Sequence, residues 1–271
     1  MNKSNYCYFN GELLRYADVN LHVSDLVFQR GYGVFDFFRS RKGSILWLND
    51  YMERLFSSLE KSGIEAELDR ESFLSVIHTL QQKNGLDNGA FKVIVTGGYS
   101  DNLESVSGKA NVVILNLEWT RPPKEAFKKG VNLISENFVR PNPEIKTLYY
   151  LNTLRLQKKL REYKAVDVMF HADIISEASR ANLFFVKAGQ VYTPASNILK
   201  GITRKQVLAL KGNIRVEDIN TDQLYDFDEM FMTSTSRDIT PVVAVEGRKI
   251  GNGTPGNVTK EIMAAFQAKG W

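Results

Sequence analysis

The order of elements along the chain predicts an α+β protein of two domains. Three strand-like segments pass before the first helical pattern, unlike the regular alternation that produces a parallel α/β sheet. The second half alternates strands and helices more regularly. Between the halves, TRPPKEAF at 120–127 carries two adjacent prolines after a strand, which is typical of a linker. We therefore expect an N-terminal domain over 1–119, a linker over 120–127 and a C-terminal domain over 128–271.

In the first half, Asn10-Gly11 separates two alternating apolar runs and predicts a β-hairpin. A strand-like run over Gly31–Ser40 follows, then a turn at Lys42-Gly43 and a further apolar run, SILWL. Asn49 and Asp50 offer capping oxygens for a helix that Gly63 can end. The rest of this half predicts a helix from about Asp69 to Asn84, strands at Phe91–Thr96 and Asn111–Leu117, and between the strands a polar loop that closes over a site or is simply mobile, SDNLESVSGKAN.

The second half is built from shorter apolar runs separated by turn residues. A helical pattern begins at Lys146, a second helix is opened by Thr203, and a C-terminal helix runs from about Val258 to Ala268. Glu177 lies just before a strand. The predicted strands are Val131–Phe138, Val166–Phe170, Leu183–Val186, Gln190–Thr193, and segments near Ile214–Val216, Glu229–Met232 and Val242–Val245.

Composition narrows the class of protein. The 43% hydrophobic and 24% charged residues are ordinary for a globular chain, and the net charge of +4 is scattered rather than gathered into a nucleic-acid-binding stripe. The longest apolar runs, such as VVIL at 112–115, are too short to cross a bilayer. Cys7 is the single cysteine, so an internal disulfide is excluded. We expect a soluble cytoplasmic protein without a nucleic-acid or membrane partner, and a buried structural Cys7.

Five sequence blocks occur in the order and spacing of one family. They are K-T-x-x-Y-L-N from Lys146, I-S-E-A-S-R-A-N-L-F-F-V, V-Y-T-P, I-L-K-G-I-T-R and F-M-T-S-T-S-R-D-I-T-P-V. Together they make the chain resemble the class IV pyridoxal-phosphate aminotransferases, which include branched-chain and D-amino acid aminotransferases and aminodeoxychorismate lyase. The resemblance covers nearly the whole chain. It implies a two-domain fold type IV enzyme, a homodimer with pyridoxal 5′-phosphate in the cleft between the domains.

The resemblance assigns roles around the cofactor ring. Lys146 matches the Schiff-base lysine, which also moves a proton between Cα of the substrate and C4′ of the cofactor. Glu177 matches the carboxylate that pairs with the pyridine nitrogen and keeps the ring an electron sink. Tyr150, four residues after Lys146 on the predicted helical face, is expected to bind the phenolic oxygen, with Tyr149 as its rival. Leu199 matches the apolar residue under the ring.

The phosphate requires backbone N–H groups, hydroxyls and a cation. Ile202 and Thr203 lie at a predicted helix N-terminus, where N–H groups and the helix dipole favour an anion. Ser234 and Thr235 offer hydroxyls at the end of a strand. Arg54 matches the family's phosphate arginine, whose forked guanidinium suits a phosphate. The histidines at 22, 78 and 171 match none of the family's chemistry, and we expect no metal.

The substrate side departs from the family pattern. Gly97 occupies the place where D-amino acid aminotransferases and many lyases have an arginine. Phe35 and Arg39 match the branched-chain type, whereas Lys92 stands where branched-chain enzymes tend to have arginine and lyases have lysine. Arg180 is an additional cation near the cofactor segment. Phe35, Arg39, Lys92 and Arg180 are therefore the candidate substrate residues.

These observations predict an aminotransferase that moves an amino group from a branched-chain or similar amino acid to a 2-oxo acid. Aminodeoxychorismate lyase chemistry and D-amino acid transamination on the same scaffold are the alternatives. A non-catalytic binding protein is disfavoured because every cofactor-contacting position of the family is filled. The amino donor, its chirality and the acceptor stay open.

Overall fold

The computed structural model describes residues 5–270, which form two compact units. The first comprises the chain up to Thr120 together with Ile145–Tyr149, and the second comprises Arg121–Glu144 and the chain from Tyr150 onward. The chain therefore passes from one unit to the other three times, the first time within the predicted linker. The domain limits given above stay a prediction.

The described part of the first unit contains a five-stranded antiparallel sheet with the order β2-β1-β5-β4-β3. The predicted hairpin at its start is confirmed. Asn10 and Gly11 have φ values of 49° and 97°, the left-handed conformations that a tight two-residue hairpin turn requires. The strands are β1 (Tyr6–Phe9), β2 (Glu12–Arg15), β3 (Gly33–Arg39), β4 (Gly89–Thr96) and β5 (Val112–Glu118).

The described residues of the first unit form three α-helices: α1 (Leu26–Arg30), α2 (Leu48–Ser62) and α3 (Arg70–Asn84). The predicted helix from about Asp69 is confirmed as α3, and the Asp69 side chain caps it. The expected capping role of Asn49 and Asp50 is wrong. Helix α2 begins at Leu48 after a left-handed Trp47, so Asn49 and Asp50 lie inside the helix, and the apolar run SILWL forms no strand. A five-residue apolar run cannot be assigned by periodicity alone, and here its last residue starts the helix.

The core of the first unit lies between the sheet and its helices. Alternate residues of β3 point to opposite faces, with Val34, Asp36 and Phe38 fully buried. Phe38 packs its ring against the rings of Tyr51 and Phe73 from the two long helices. Phe35 and Phe37, on the other face, are only half-buried. Cys7 is fully buried and burial raises the pKa of its thiol, so the prediction of a structural cysteine is confirmed.

The second unit is organised on a ten-stranded mixed sheet within the described residues, with the order β11-β10-β9-β13-β14-β6-β7-β8-β12 and β15 paired to β14. Its strands are β6 (Val131–Asn137), β7 (Ala165–His171), β8 (Ile174–Ala178), β9 (Asn182–Lys187), β10 (Gln190–Thr193), β11 (Arg215–Val216), β12 (Ile219–Asn220), β13 (Glu229–Ser234), β14 (Asp238–Val245) and β15 (Arg248–Lys249). Its helices are α4 (Lys124–Lys129), α5 (Leu151–Leu154), α6 (Gln157–Glu162), α7 (Ile202–Leu210) and α8 (Asn257–Ala268).

Most of the strands predicted for this half are confirmed, as is the C-terminal helix. Strand β8 is an addition, and Glu177 lies inside it rather than in front of a strand. Part of the predicted linker is helical, since α4 covers Lys124–Phe127. Within residues 5–270, no helix is both long enough and apolar enough to span a membrane.

Candidate active site

Lys146 lies in an extended segment, not at the head of a helix. Its carbonyl oxygen accepts the N–H of Phe35 at 2.9 Å, and Leu148 donates to the carbonyl of Gly33 at 3.1 Å. Thr147 and Val34 form the intervening antiparallel bridge. These bonds attach residues 146–148 to the edge strand β3, which imposes an extended backbone and delays the helix until Leu151. The predicted shared helical face of Lys146 and Tyr150 is therefore wrong.

The Lys146 amine shares one aromatic ring with a second lysine. Its Nζ lies 4.6 Å from the centroid of the Phe35 ring, and Nζ of Lys92 lies 5.2 Å from the same centroid. Burial lowers the pKa of Lys92. The structure therefore brings together Phe35, Lys92 and Lys146, which the sequence placed in three separate segments.

Arg39 lies on the same face of β3 as Phe35, two residues beyond Phe37. It is 4% exposed, and its guanidinium carbon lies 4.1 Å from the ring centroid of Trp119. Such stacking over an indole is a favourable site for a guanidinium. Arg39 is thus a buried, stacked cation of the half-buried sheet face.

Arg54 forms a two-point ion pair with Asp36. Nε donates to Oδ2 at 2.8 Å and Nη2 donates to Oδ1 at 2.6 Å, and both side chains are largely buried. Asp36 also accepts the N–H of Phe37 through Oδ1. A guanidinium has five N–H donors, so this fork orients Arg54 without using all of them. The carboxylate of Asp36 thus fixes the arginine that we expected to bind phosphate.

Gly97 has no room for a side chain. A Cβ built there would lie 2.2 Å from Cδ1 of Tyr32 and 3.2 Å from Cβ of Leu26. Tyr32 is itself anchored, because its hydroxyl donates to the carbonyl of Ser62 at 2.7 Å. The missing arginine is therefore accompanied by a tyrosine ring that fills the adjoining space.

Glu177 is a buried carboxylate held by two different groups of the second unit. Nε and Nη2 of Arg140 both donate to Oε1, at 2.9 and 2.6 Å, and the N–H of Leu199 donates to Oε2 at 2.8 Å. A guanidinium and a backbone N–H both favour the ionised form of a carboxylate. Sequence reasoning missed Arg140. Its signal was a lone arginine in the irregular RPNPEI segment, together with the rule that a buried acid needs a cation.

Tyr150, rather than Tyr149, is the buried member of the tyrosine pair. Burial is the main cause that raises the pKa of Tyr150 to about 12, and the charges of Arg140, Asp167, Glu177 and Arg180 also act on it. Tyr149 keeps 43% of its surface exposed. Tyr150 therefore stays a neutral hydroxyl, able to donate a hydrogen bond, throughout the physiological pH range.

A candidate phosphate cradle lies at the start of α7. Gly201 is the N-terminal cap residue, and the helix begins at Ile202, one residue before the predicted Thr203. A Cβ on Gly201 would lie 2.1 Å from Oδ1 of Asn182, whose amide nitrogen donates to the carbonyl of Leu199 at 2.7 Å. The first N–H groups of a helix have no partner inside it. Only glycine at position 201 therefore allows the Asn182 side chain to lie this close to the start of α7. The free N–H groups there favour an anion.

Four consecutive hydroxyl residues, Thr233-Ser234-Thr235-Ser236, lie at the end of strand β13 in the same unit as the candidate phosphate cradle. Ser234 ends β13, against which α7 packs, and Thr235 lies in the turn to β14. Oγ1 of Thr233 is buried and forms no hydrogen bond with any residue of the described chain. Buried hydroxyls seldom lack a partner, so this run fits a polar ligand.

Comparison with known proteins decides the family. A family model described as "Amino-transferase class IV" matches residues 33–245. The chain belongs to the class IV aminotransferase family. It is an enzyme of the pyridoxal-phosphate-dependent aminotransferase class.

Relatives of this aminotransferase carry different substrate names. It is 31% identical to a putative branched-chain-amino-acid aminotransferase of Methanocaldococcus jannaschii, over 96% of this chain and 94% of the relative. It is 28% identical to a D-alanine aminotransferase of Bacillus licheniformis, over 96% and 95%. The crystal structure of Escherichia coli branched-chain amino acid aminotransferase superposes with a TM-score of 0.91 at 27% identity, over 98% and 94%. The predicted fold class is confirmed, whereas the substrate is not selected.

Two remaining observations concern the polar loop between β4 and β5 and the possible metal ligands. The polar loop at 99–110 is largely exposed and is held by its own side chains, with Asn102 accepting the N–H groups of Glu104 and Ser105. Among residues 5–270, no group of three or more His, Cys, Asp or Glu side chains is arranged to hold a metal ion.

Proposed function

We propose that the protein transfers the amino group of an amino acid to a 2-oxo acid, with Lys146 as the lysine that binds pyridoxal 5′-phosphate covalently. The observation that carries this proposal is the buried Glu177 carboxylate, fixed by Arg140 and by the N–H of Leu199 three residues before α7. Aminotransferase chemistry needs such an acid opposite the pyridine nitrogen. Membership of the class IV family supports the reaction class.

The residues present fit the cofactor. The Gly201 cradle excludes a Cβ, the Thr233 hydroxyl is buried without a partner in the described chain, and Tyr150 stays protonated. We assign the phosphate to the N–H groups of Ile202 and Thr203, the hydroxyls of Ser234 and Thr235, and the guanidinium of Arg54. Leu199 would pack under the ring. When bound, the cofactor supplies an electron sink for the charge that develops at Cα of the substrate.

Lys146 acts twice in this proposal. Its amine would first hold the cofactor and, once displaced by the substrate, would move a proton at Cα of the substrate. General acid or base catalysis by one positioned group contributes about 10²–10⁴-fold to a rate. The two main-chain bonds to β3 keep the Lys146 backbone in place during both roles. Glu177 would pair with the pyridine nitrogen and keep it protonated, and Tyr150 would donate to the phenolic oxygen.

The substrate is a branched-chain or similar amino acid. Phe35 matches the branched-chain type, and the closely packed Gly97 leaves no place for the arginine of D-amino acid aminotransferases. Lys92 and Arg39 present cations on the Phe35 face of the first unit's sheet.

A lyase that releases pyruvate from aminodeoxychorismate is the second candidate. The observation that favours it is the half-buried Lys92 amine over Phe35, because lyases have lysine at this position.

Replacing Lys146 tests the assignment. The Lys146→Ala variant should lose both turnover and the absorbance band of lysine-bound cofactor, while Lys158→Ala, at an exposed lysine of the same chain, should keep both. Turnover retained by Lys146→Ala would overturn the proposal. A panel of L- and D-amino acids, scored by conversion of that band, identifies the donor. Pyruvate formed steadily without an amino acceptor would instead select the lyase.

A homodimer and a cytoplasmic location are further parts of the proposal. The homodimer comes from the family resemblance, and the cytoplasmic location from the single cysteine, which cannot form an internal disulfide. Light scattering of the purified protein tests the dimer, since a monomer mass at working concentration would contradict it.

A further inference from the structure

The second unit holds a buried carboxylate that two arginines approach. Asp167, on β7, is fully buried; its Oδ1 accepts the N–H of Val168 at 2.8 Å and the hydroxyl of Ser179. Its Oδ2 accepts no hydrogen bond from any residue in the described range 5–270. Nε of Arg180 lies 3.5 Å from Oδ2. Asp167 is thus an ion-pair partner of Arg180 whose hydrogen bonds lie on its other oxygen.

The Arg180 side chain is held by contacts with the protein but remains partly exposed to solvent. Its Nη2 donates to the carbonyl of Val166 at 2.9 Å, and 45% of its side chain remains exposed. Together with the contact to Asp167, this bond fixes the guanidinium plane. Arg180 also acts electrostatically on Tyr150, as do Glu177 and Arg140, so it lies near the residues assigned to the cofactor ring.

Arg237 is the second arginine, and it was not among the candidate site residues predicted from the sequence. It lies in the turn between β13 and β14, two residues after Thr235, with its N–H bonded to the carbonyl of Ser234 at 3.3 Å. The next residue, Asp238, adopts a left-handed φ of 54°. In the part of the chain that the structure describes, no hydrogen bond or ion pair engages the Arg237 side chain. Strands β9 and β13 are antiparallel with Asn182 opposite Thr233, so the turn that carries Arg180 and the turn that carries Arg237 lie at the same end of this strand pair. In agreement with this placement, burial, and next the charge of Arg180, lower the pKa of Arg237.

The charges of this cluster do not balance. Arg180 and Arg237 carry two positive charges and Asp167 carries one negative charge, while Arg140 and Glu177 neutralise each other. Two neighbouring cations repel, and one carboxylate between them would remove the repulsion and accept forked hydrogen bonds. The surplus equals the charge of one carboxylate.

We propose that Arg180 and Arg237 bind one carboxylate of the substrate. This inference rests on the proposed aminotransferase function and names two residues that select its substrates. A carboxylate suits the pair because the guanidinium fork matches its planar geometry. It is either the α-carboxylate or a second carboxylate on the substrate side chain, and substrates of different charge distinguish the two.

The test compares Arg237→Gln and Arg180→Gln with Arg161→Gln, an exposed arginine of α6. Single-turnover rates are measured at saturating cofactor with both enantiomers of glutamate and of norvaline, which has no side-chain carboxylate. We expect each site variant to lower the second-order rate with glutamate by about tenfold to a hundredfold, the usual effect of losing hydrogen bonds to a charged group. An equal loss with norvaline assigns the α-carboxylate, whereas an unchanged norvaline rate assigns the side-chain carboxylate.

Two controls separate binding from structure. Arg237→Lys keeps the positive charge but loses the forked geometry, so its rate with glutamate should be higher than that of Arg237→Gln. In steady-state assays, the losses of the site variants should appear in KM rather than in kcat. Glutamate rates as high as those of Arg161→Gln would overturn the inference. So would weaker cofactor binding with unchanged substrate rates, which would assign Arg237 to the phosphate. Failure of the proposed function itself would differ, because the wild-type protein would then show no lysine-bound cofactor band.

Discussion

In the described part of the chain, each unit has a buried arginine–carboxylate pair, Arg54–Asp36 in the first and Arg140–Glu177 in the second, and these two pairs differ in how the oxygens are used. Arg54 holds both oxygens of Asp36 in a single fork, between helix α2 and strand β3. Arg140 donates two hydrogen bonds to Oε1 of Glu177, and the N–H of Leu199 donates to Oε2. The first carboxylate therefore orients one arginine, whereas the second connects an irregular segment, a strand and the loop before α7.

This difference separates a positioning role from a chemical one. Removing either carboxylate leaves a buried guanidinium without its counter-charge, so stability falls in both cases. Asp36 is buried on the helix side of its sheet, among core residues of the first unit. Glu177 lies beside Tyr150 and the phosphate cradle, within the assigned site. Loss of Asp36 should therefore act mainly on stability, and loss of Glu177 mainly on activity.

Glu177→Gln should produce the largest effect. The amide cannot stabilise a protonated pyridine nitrogen, so kcat at saturating cofactor should fall by about 10²–10³-fold, as when one preorganised electrostatic partner is removed. Steady-state kinetics measure this, with the exposed Glu162→Gln as the matched control. A kcat equal to that of the control would contradict the role of Glu177.

Asp36→Asn should lower the free energy of unfolding by about 3–5 kcal/mol, because Arg54 stays buried without a carboxylate. Urea denaturation measures the change, and Asp101→Asn, in the exposed loop, is the control. At saturating cofactor, kcat should change far less than in Glu177→Gln. If Asp36→Asn lost activity but no stability, the comparison between the two pairs would be wrong.

Tyr150→Phe should have the smallest effect, a loss of about tenfold in kcat/KM, the value of one hydrogen bond near 1.4 kcal/mol. The exposed Tyr149→Phe is the control and should retain the wild-type rate. Because the pKa of Tyr150 is raised to about 12 from 10.0, the folded state holds this proton more tightly than the unfolded state. Its contribution to stability is complete below pH 10 and is lost as the pH rises towards 12.

Alkaline unfolding curves check this sign. The free energy of unfolding should fall more steeply between pH 10 and 12 in the wild-type protein than in Tyr150→Phe. Equal slopes would show that Tyr150 is not the buried tyrosine of the pair.

Local signals were sufficient for the elements that local contacts stabilise. Asn10-Gly11 specified its hairpin, and Asp69 and Gly63 marked the helix ends they cap. The conformation at Lys146 was not predictable in this way, because it is imposed by hydrogen bonds to Gly33 and Phe35, far earlier in the chain. A helical pattern does not reveal that an edge strand competes for the same peptide groups.

The candidate site was predictable where a motif names a residue and not where a partner comes from elsewhere. Glu177 belongs to a recognisable block, whereas its cation, Arg140, is 37 residues away in a segment without regular structure. Arg237 belongs to the last of the five sequence blocks, but only its position beside Arg180 in the structure suggests a role for it. The net charge of a cluster depends on which side chains are close in space, so it could not be predicted from the sequence positions of Arg180 and Arg237.

The attachment of residues 145–149 to β3 also sets the order in which the protein can be completed during translation. Strand β3 lies at the edge of its sheet, and the segment that covers this edge is synthesised only after α4 and β6. A nascent chain that ends at Thr120 therefore still exposes the outer N–H and C=O groups of β3, a template for unwanted strand pairing. The first unit can finish folding only after residues 146–148 have left the ribosome, so the lysine proposed for the chemistry reaches its place together with the protection of that edge.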